Sequence, residues 1–136
     1  MIESIRSIVR VRAKNCCEYC FAQAEFSHDP FSEEHIWPTS KRGQYILENL
    51  AWACLGCNFF KGAATVALDF LTGLLVPLYN PRKDMWETHF EWNEDFTILI
   101  GLTPTGRATI TRLKLNREGL MNLRRLLVKE GKHPPK

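Results

Sequence analysis

Two Cys-x-x-Cys pairs, Cys17-Glu18-Tyr19-Cys20 and Cys54-Leu55-Gly56-Cys57, constrain this chain more than any other feature. Thiolates separated by two residues can sit on one tight turn and share a tetrahedral ion with a second such turn. The 33 residues between the pairs exceed what a compact zinc ribbon holds, so a sub-fold must lie between the knuckles. Cys16 brings the count to five. An odd count in a reducing compartment argues against a disulfide framework. The spacing predicts structural Zn²⁺ on Cys17, Cys20, Cys54 and Cys57, with Cys16 left over.

The chain has 136 residues, 45% of them hydrophobic and 24% charged. That suits one domain with a modest core, expected to span residues 1–136 with its core at about 15–64 and an extension at about 65–130. No run of about 18 apolar residues is present, so no membrane span is expected. The opening MIESIRSIVRVRAKN carries charges throughout and lacks an apolar h-region, so a cytoplasmic location is expected. Residues 1–14 carry a net charge of +3, residues 15–111 of −6 and residues 112–136 of +6. Basic flanks around an acidic centre suit a protein that grips a polyanion and holds a cation in its middle.

The expected fold class is α+β. Residues 4–14 read as a helix capped by Ser4, with Ile5, Ile8, Val9 and the stem of Arg12 on one face. Residues 21–30 read as a loop, 31–37 as a strand carrying Glu34 and His35, and 49–53 as a second strand running into the second knuckle. A helix is expected over 58–64. The result is a small ββα core stapled by zinc, because so small a unit buries too little apolar surface by itself. Further strands are expected over 74–79, 90–92 and 96–102, then a helix from Thr103-Pro104 to about 115. Asn116 is read as the cap of a last helix over 117–130, with Leu120, Leu123 and Leu127 inward and Arg124 and Lys129 outward. The tail 131–136 is expected to fray.

The chemistry-bearing residues lie between and just after the knuckles. Glu34-His35 is followed fourteen residues on by Asn49, Asn58 directly follows Cys57, and Lys61 comes next in the pattern. Cleaving a phosphodiester requires a base for the attacking water, an offset for phosphate charge and a stabilised leaving oxygen. One Mg²⁺-like ion meets the last two needs. A histidine with a pKa near about 6.5 meets the first. Such an ion prefers hard oxygen ligands, which Glu34 and Asn58 offer. Neighbours on a strand point to opposite faces. Glu34 and His35 can therefore serve one phosphate from two sides, with the ion on one and the water on the other. Asn58 is expected at the start of its helix, and Asn49 is expected to fasten the loop between the strands and hold His35 in position. Singly, each residue has a bland reading: a surface ion pair, a cap, a solvated charge. Their order inside a double-CxxC frame carries the case.

That stretch resembles the HNH endonuclease family, the ββα-metal nucleases, in its zinc-bearing form. Glu34-His35 matches the acidic–His pair, Glu48-Asn49-Leu50 the central Asn, and Cys57-Asn58-Phe59-Phe60-Lys61-Gly62 the third position. Pro77-Leu78-Tyr79-Asn80-Pro81-Arg82 and Gly101-Leu102-Thr103-Pro104 extend the similarity, which covers roughly residues 5–125. The resemblance implies His35 as general base, Glu34 and Asn58 on a catalytic Mg²⁺ or Mn²⁺, Asn49 in support, and DNA, read as double-stranded, as substrate. It implies products with 5′-phosphate and 3′-hydroxyl ends. Lys41, Arg42, Lys61 and Arg82 are read as nucleic-acid contacts. Two departures stand out: the acidic ligand is Glu rather than the common Asp, and the loop after His35 reads Lys41-Arg42-Gly43-Gln44 where paired glycines are usual. The competing expectation is a non-catalytic zinc-stapled nucleic-acid-binding module, which would need no Glu34-His35-Asn58 constellation. A redox CxxC protein would show a βαβ setting, and the sequence has none.

Overall fold

The computed structural model describes residues 3–136. Helix α1 (Ile5–Arg12) begins where Ser4 Oγ accepts the Ser7 N–H at 3.1 Å, a side-chain cap that satisfies one of the open amides of the first turn. Its buried residue is Val9. Two arginines of α1 clamp it onto the hairpin that follows. Arg6 pairs with Glu33 at 2.7 Å and stacks over Trp52, and Arg12 donates to the carbonyl of Leu50.

The central hairpin pairs β1 (Ser32–His35) with β2 (Leu50–Ala53) antiparallel, with Glu34 opposite Ala51 and His35 opposite Leu50. All four residues of β2 are buried. Helix α2 (Leu55–Lys61) completes the ββα unit. It starts three residues earlier than the sequence reading placed it. Cys54 Sγ accepts the Cys57 N–H at 3.4 Å and takes the N-cap position, so Asn58 lies inside the helix with its N–H on the Cys54 carbonyl.

The extension contains two more antiparallel hairpins. Strand β3 (Val66–Asp69), which the sequence reading did not anticipate, pairs with β4 (Leu74–Pro77). The turn between them is organised by Asp69, which accepts from Leu71, Thr72 and, through two bonds of 3.0 Å, Arg107. A short helix α3 (Trp86–His89) leads into β5 (Phe90–Trp92), paired with β6 (Leu99–Gly101). Thr103 caps α4 (Pro104–Leu113), with Pro104 in its first turn as expected. The last helix is α5 (Glu118–Lys129).

Three expectations for the C-terminal part are corrected. Asn116 does not cap α5; its amide bonds both the N–H and the carbonyl of Leu99, tying β6 to the approach of the last helix. Arg124 points inward rather than out. It is 3% exposed, donates to the carbonyls of Thr97 and Leu115, and lies over the Trp92 ring. The tail is packed, because His133 is buried and bonds the Phe96 carbonyl at 2.9 Å. One core joins all of these parts. Val9, Tyr19, Phe31, Leu50, Trp52, Phe90, Leu99 and Leu113 share it with Cys17, Cys20, Cys54 and Cys57. Among the described residues, no helix is long and apolar enough to cross a membrane.

Candidate active site and metal centre

The four predicted cysteines come together. Their sulfurs all lie within 4.8 Å of one another, and every one of these residues is buried. The two knuckles repeat one local geometry: the Cys20 N–H points at Cys17 Sγ at 3.5 Å, as the Cys57 N–H points at Cys54 Sγ. Sulfurs about 2.3 Å from a tetrahedral ion stand about 3.8 Å apart along each edge, and Cys20 Sγ lies 3.7 Å from Cys54 Sγ. The donor set therefore fits a structural zinc site. Cys16 stays outside it, with its thiol on the Lys14 carbonyl.

The sequence reading missed one member of this centre. Arg117, at the start of α5, directs its guanidinium at Cys54 Sγ (3.5 Å) and Cys57 Sγ (3.7 Å). Burial opposes its charge, but the neighbouring Cys57, Cys20 and Cys54 thiolates outweigh burial and hold its pKa above the usual value. A Cβ on Gly56 would stand 2.5 Å from Arg117 Nη2, so a side chain there would push the guanidinium away from the sulfurs. Four thiolates on one Zn²⁺ would carry a net charge of −2, half of which Arg117 would offset through charge-assisted hydrogen bonds. No local signal in the sequence marks a partner 60 residues from the second knuckle. Arg117→Ala is expected to speed zinc release to a chromophoric chelator by about tenfold or more. Release at the parent rate would show that the guanidinium adds nothing to the centre.

Glu34, His35 and Asn58 line one open cleft, together with Glu33, Pro38, Thr39, Ser40, Gly62 and Ala63. Glu34 and His35 both line this cleft but differ in burial. His35 is half-buried beside Tyr45, with ring centroids 5.9 Å apart. Glu34 is 4% exposed and turned toward α2. Its Oε2 accepts from the Tyr19 hydroxyl at 2.8 Å and its Oε1 from Lys61 Nζ at 2.7 Å. Burial raises the Glu34 pKa, with Lys61 and Tyr19 acting against that shift. Asn58 donates to Ser32 Oγ at 3.4 Å, and among the described residues its amide oxygen accepts no hydrogen bond.

Asn49 fastens the loop that follows His35. Its Oδ1 accepts the Trp37 N–H at 2.8 Å, and its Nδ2 donates to the carbonyls of Trp37 and Gln44. The loop also needs Gly43, where a Cβ would stand 1.7 Å from the Trp37 carbonyl oxygen. Lys41 and Arg42 are exposed on this loop.

Two of the four residues read as nucleic-acid contacts are turned to internal partners. Lys61 is 1% exposed and has no surface to offer a phosphate. Its ammonium is used internally, on Glu34 and on the carbonyls of His35 (3.3 Å) and Ile36 (3.0 Å). Arg82 pairs with Glu18 inside the first knuckle, and burial followed by the nearby Arg12 lowers its pKa to about 10. It joins the extension to the zinc centre. With Arg117 and Arg124 also turned inward, the basic C-terminal segment offers less free charge than its net +6 suggested.

A cysteine-stapled ββα unit with an acidic residue, a histidine and an amide in one cleft defines a class of site. Residues 17–67 match the family model described as HNH endonuclease. That segment holds all four cysteines and Glu34, His35, Asn49, Asn58 and Lys61. The chain is thus similar to this family from the first knuckle into β3. No curated protein and no solved structure matches the chain.

Proposed function

We propose that this chain is a divalent-metal-dependent DNA endonuclease in which His35 is the general base. The observation that carries the reading is the convergence of Glu34, His35 and Asn58 on one cleft within the segment that matches the family model. The donor chemistry suits a hard cation. A carboxylate has about four lone-pair sites, of which Tyr19 and Lys61 use two on Glu34, and the Asn58 amide oxygen is available. The positive Lys61 next to Glu34 would weaken the attraction, so a bound ion would be held loosely and would keep much of its water. Glu34 and Asn58 would hold Mg²⁺ or Mn²⁺, which when bound supplies charge neutralisation at the phosphate and at the leaving oxygen.

The chain's own residues supply the rest. The neutral imidazole of His35 accepts the proton of the attacking water. Its backbone is fixed from two sides, by Lys61 on the carbonyls of His35 and Ile36 and by Asn49 on Trp37. This pre-sets the base relative to the cleft and avoids ordering it during the reaction. Lys41 and Arg42, exposed on the loop that follows His35, would contact phosphates. Zn²⁺ in the four-cysteine centre has a structural role, and the five unbridged thiols suit a cytoplasmic setting. The whole chain acts as one unit around this site.

The test is incubation of the purified protein with supercoiled plasmid, with and without Mg²⁺ or Mn²⁺. The expected result is nicked or linear DNA only when the ion is present. Absence of cutting in either ion would reject the catalytic reading in favour of a nucleic-acid-binding module.

A further inference from the structure

We propose that Tyr19 is a positioning residue for Glu34, and that through it the first zinc knuckle sets the geometry of the divalent-ion site. This inference rests on the nuclease reading above. Tyr19 lies between the two thiol ligands of its knuckle and is 1% exposed. Its hydroxyl, the one polar atom of the side chain, bonds Glu34 Oε2 at 2.8 Å in the buried interior. The direction of the ring is not free to vary. Cys17 and Cys20 on either side belong to the four-sulfur centre, and the Glu18 side chain beside it accepts the Trp52 N–H and pairs with Arg82.

A continuous chain of contacts follows. The knuckle fixes Tyr19, Tyr19 fixes one oxygen of Glu34, Lys61 fixes the other, and Lys61 also holds the carbonyls of His35 and Ile36. A carboxylate with one oxygen on a rigid donor and the other on a cation has a single orientation. Glu34, held in this way, is one of the residues that line the cleft Asn58 shares. Donors behind a metal-binding carboxylate orient it in this way, and their loss typically costs about 10–100-fold in metal affinity. Tyr19 touches no substrate in this scheme; it acts through Glu34.

The test uses the zinc-loaded full chain and Mn²⁺, titrated without DNA and followed by the electron paramagnetic resonance of the free ion. Tyr19→Phe keeps the ring and removes only the hydroxyl. The expected result is an Mn²⁺ Kd raised about 10–100-fold, with zinc content unchanged and DNA nicking partly restored by excess Mn²⁺. Glu34→Gln is titrated alongside. A Tyr19→Phe Kd within about twofold of the parent, where Glu34→Gln weakens binding, would overturn the positioning role and leave the metal site intact. Loss of zinc from Tyr19→Phe would also overturn it, since the hydroxyl would then serve the knuckle itself. If the parent binds no Mn²⁺, or Glu34→Gln binds it equally well, the metal-site reading fails and the Tyr19 role with it.

Discussion

Removing the ion from the four-cysteine centre is expected to unfold the protein. Cys17, Cys20, Cys54 and Cys57 are members of the main core, packed with Val9, Tyr19, Phe31 and Leu50. They join the loop after α1 to the start of α2, and Arg117 ties α5 to the same sulfurs. Emptying the site leaves thiolates buried near one another, so each must take up a proton or be exposed to water. Structural zinc supplies about 10–16 kcal/mol in small zinc-dependent peptides, as much as the whole stability of about 5–15 kcal/mol of a typical domain. The expected measurement is one zinc per chain by metal analysis, and cooperative loss of far-ultraviolet circular dichroism when a strong chelator is added at pH 7. Cys20→Ser is expected to give the same unfolded state. A metal-free protein with the parent's spectrum would contradict this account.

Lys61→Met is expected to destabilise the protein by about 3–5 kcal/mol, the cost of removing one member of a buried ion pair. Both partners are almost fully buried, with side chains 2% and 3% exposed. Methionine replaces the apolar stem but none of the three hydrogen bonds, and it leaves Glu34 with Tyr19 alone. The loss has a definite pH dependence. Burial already raises the Glu34 pKa above its ordinary value, and Lys61 opposes that shift. Without Lys61 the folded-state pKa rises further, while the unfolded value stays near about 4.3. The folded variant then holds its proton more tightly than the unfolded chain does. Stability tied to that proton is present at low pH and falls as pH rises through the folded pKa. Urea unfolding should therefore show a larger deficit for Lys61→Met at pH 8 than at pH 5, and Glu34→Gln in the same chain should recover part of it. A variant as stable as the parent at pH 8 would show that the pair is dispensable.

The elements legible in the sequence were those whose determinants are local. Ser4 before an amphipathic run, Thr103-Pro104 before another, and the two CxxC turns each announce themselves within a few residues. The central hairpin was legible for the same reason. What was not legible depended on partners distant in sequence. Strand β3 contains Asp69, an unpromising strand residue, which is accommodated because Arg107 neutralises it from α4. The start of α2 was misplaced because a cysteine sulfur, not a serine or aspartate oxygen, provides the cap.

Charge was the least readable feature. Lys61 and Arg82 read as DNA-facing and Arg124 as solvent-facing, yet Glu34, Glu18 and a set of carbonyls draw all three inward, and Arg117, which carried no reading of its own, turns to the thiolates. A lysine or arginine carries no local mark of whether its partner is water, phosphate or a buried acid. The same limit hid Tyr19. Its place inside the knuckle was plain, but its bond to Glu34 spans 15 residues and exists only once the hairpin has formed. For the candidate site, the residue types and their order were visible in the chain. Their support by Lys61 and Tyr19 became visible only in three dimensions.

We propose His35, in the cleft with Glu34 and Asn58, as the base of a DNA-cutting site. The most direct measurement compares plasmid nicking by the parent and by His35→Ala in Mg²⁺ or Mn²⁺, with zinc content and circular dichroism matched. His35 is half-buried and lies outside the zinc centre, so the variant should keep its fold and metal. Loss of a general base costs about 10²–10⁴-fold in rate, and that loss is the predicted result. A folded, zinc-loaded His35→Ala protein that nicks plasmid at the parent's rate would contradict the account.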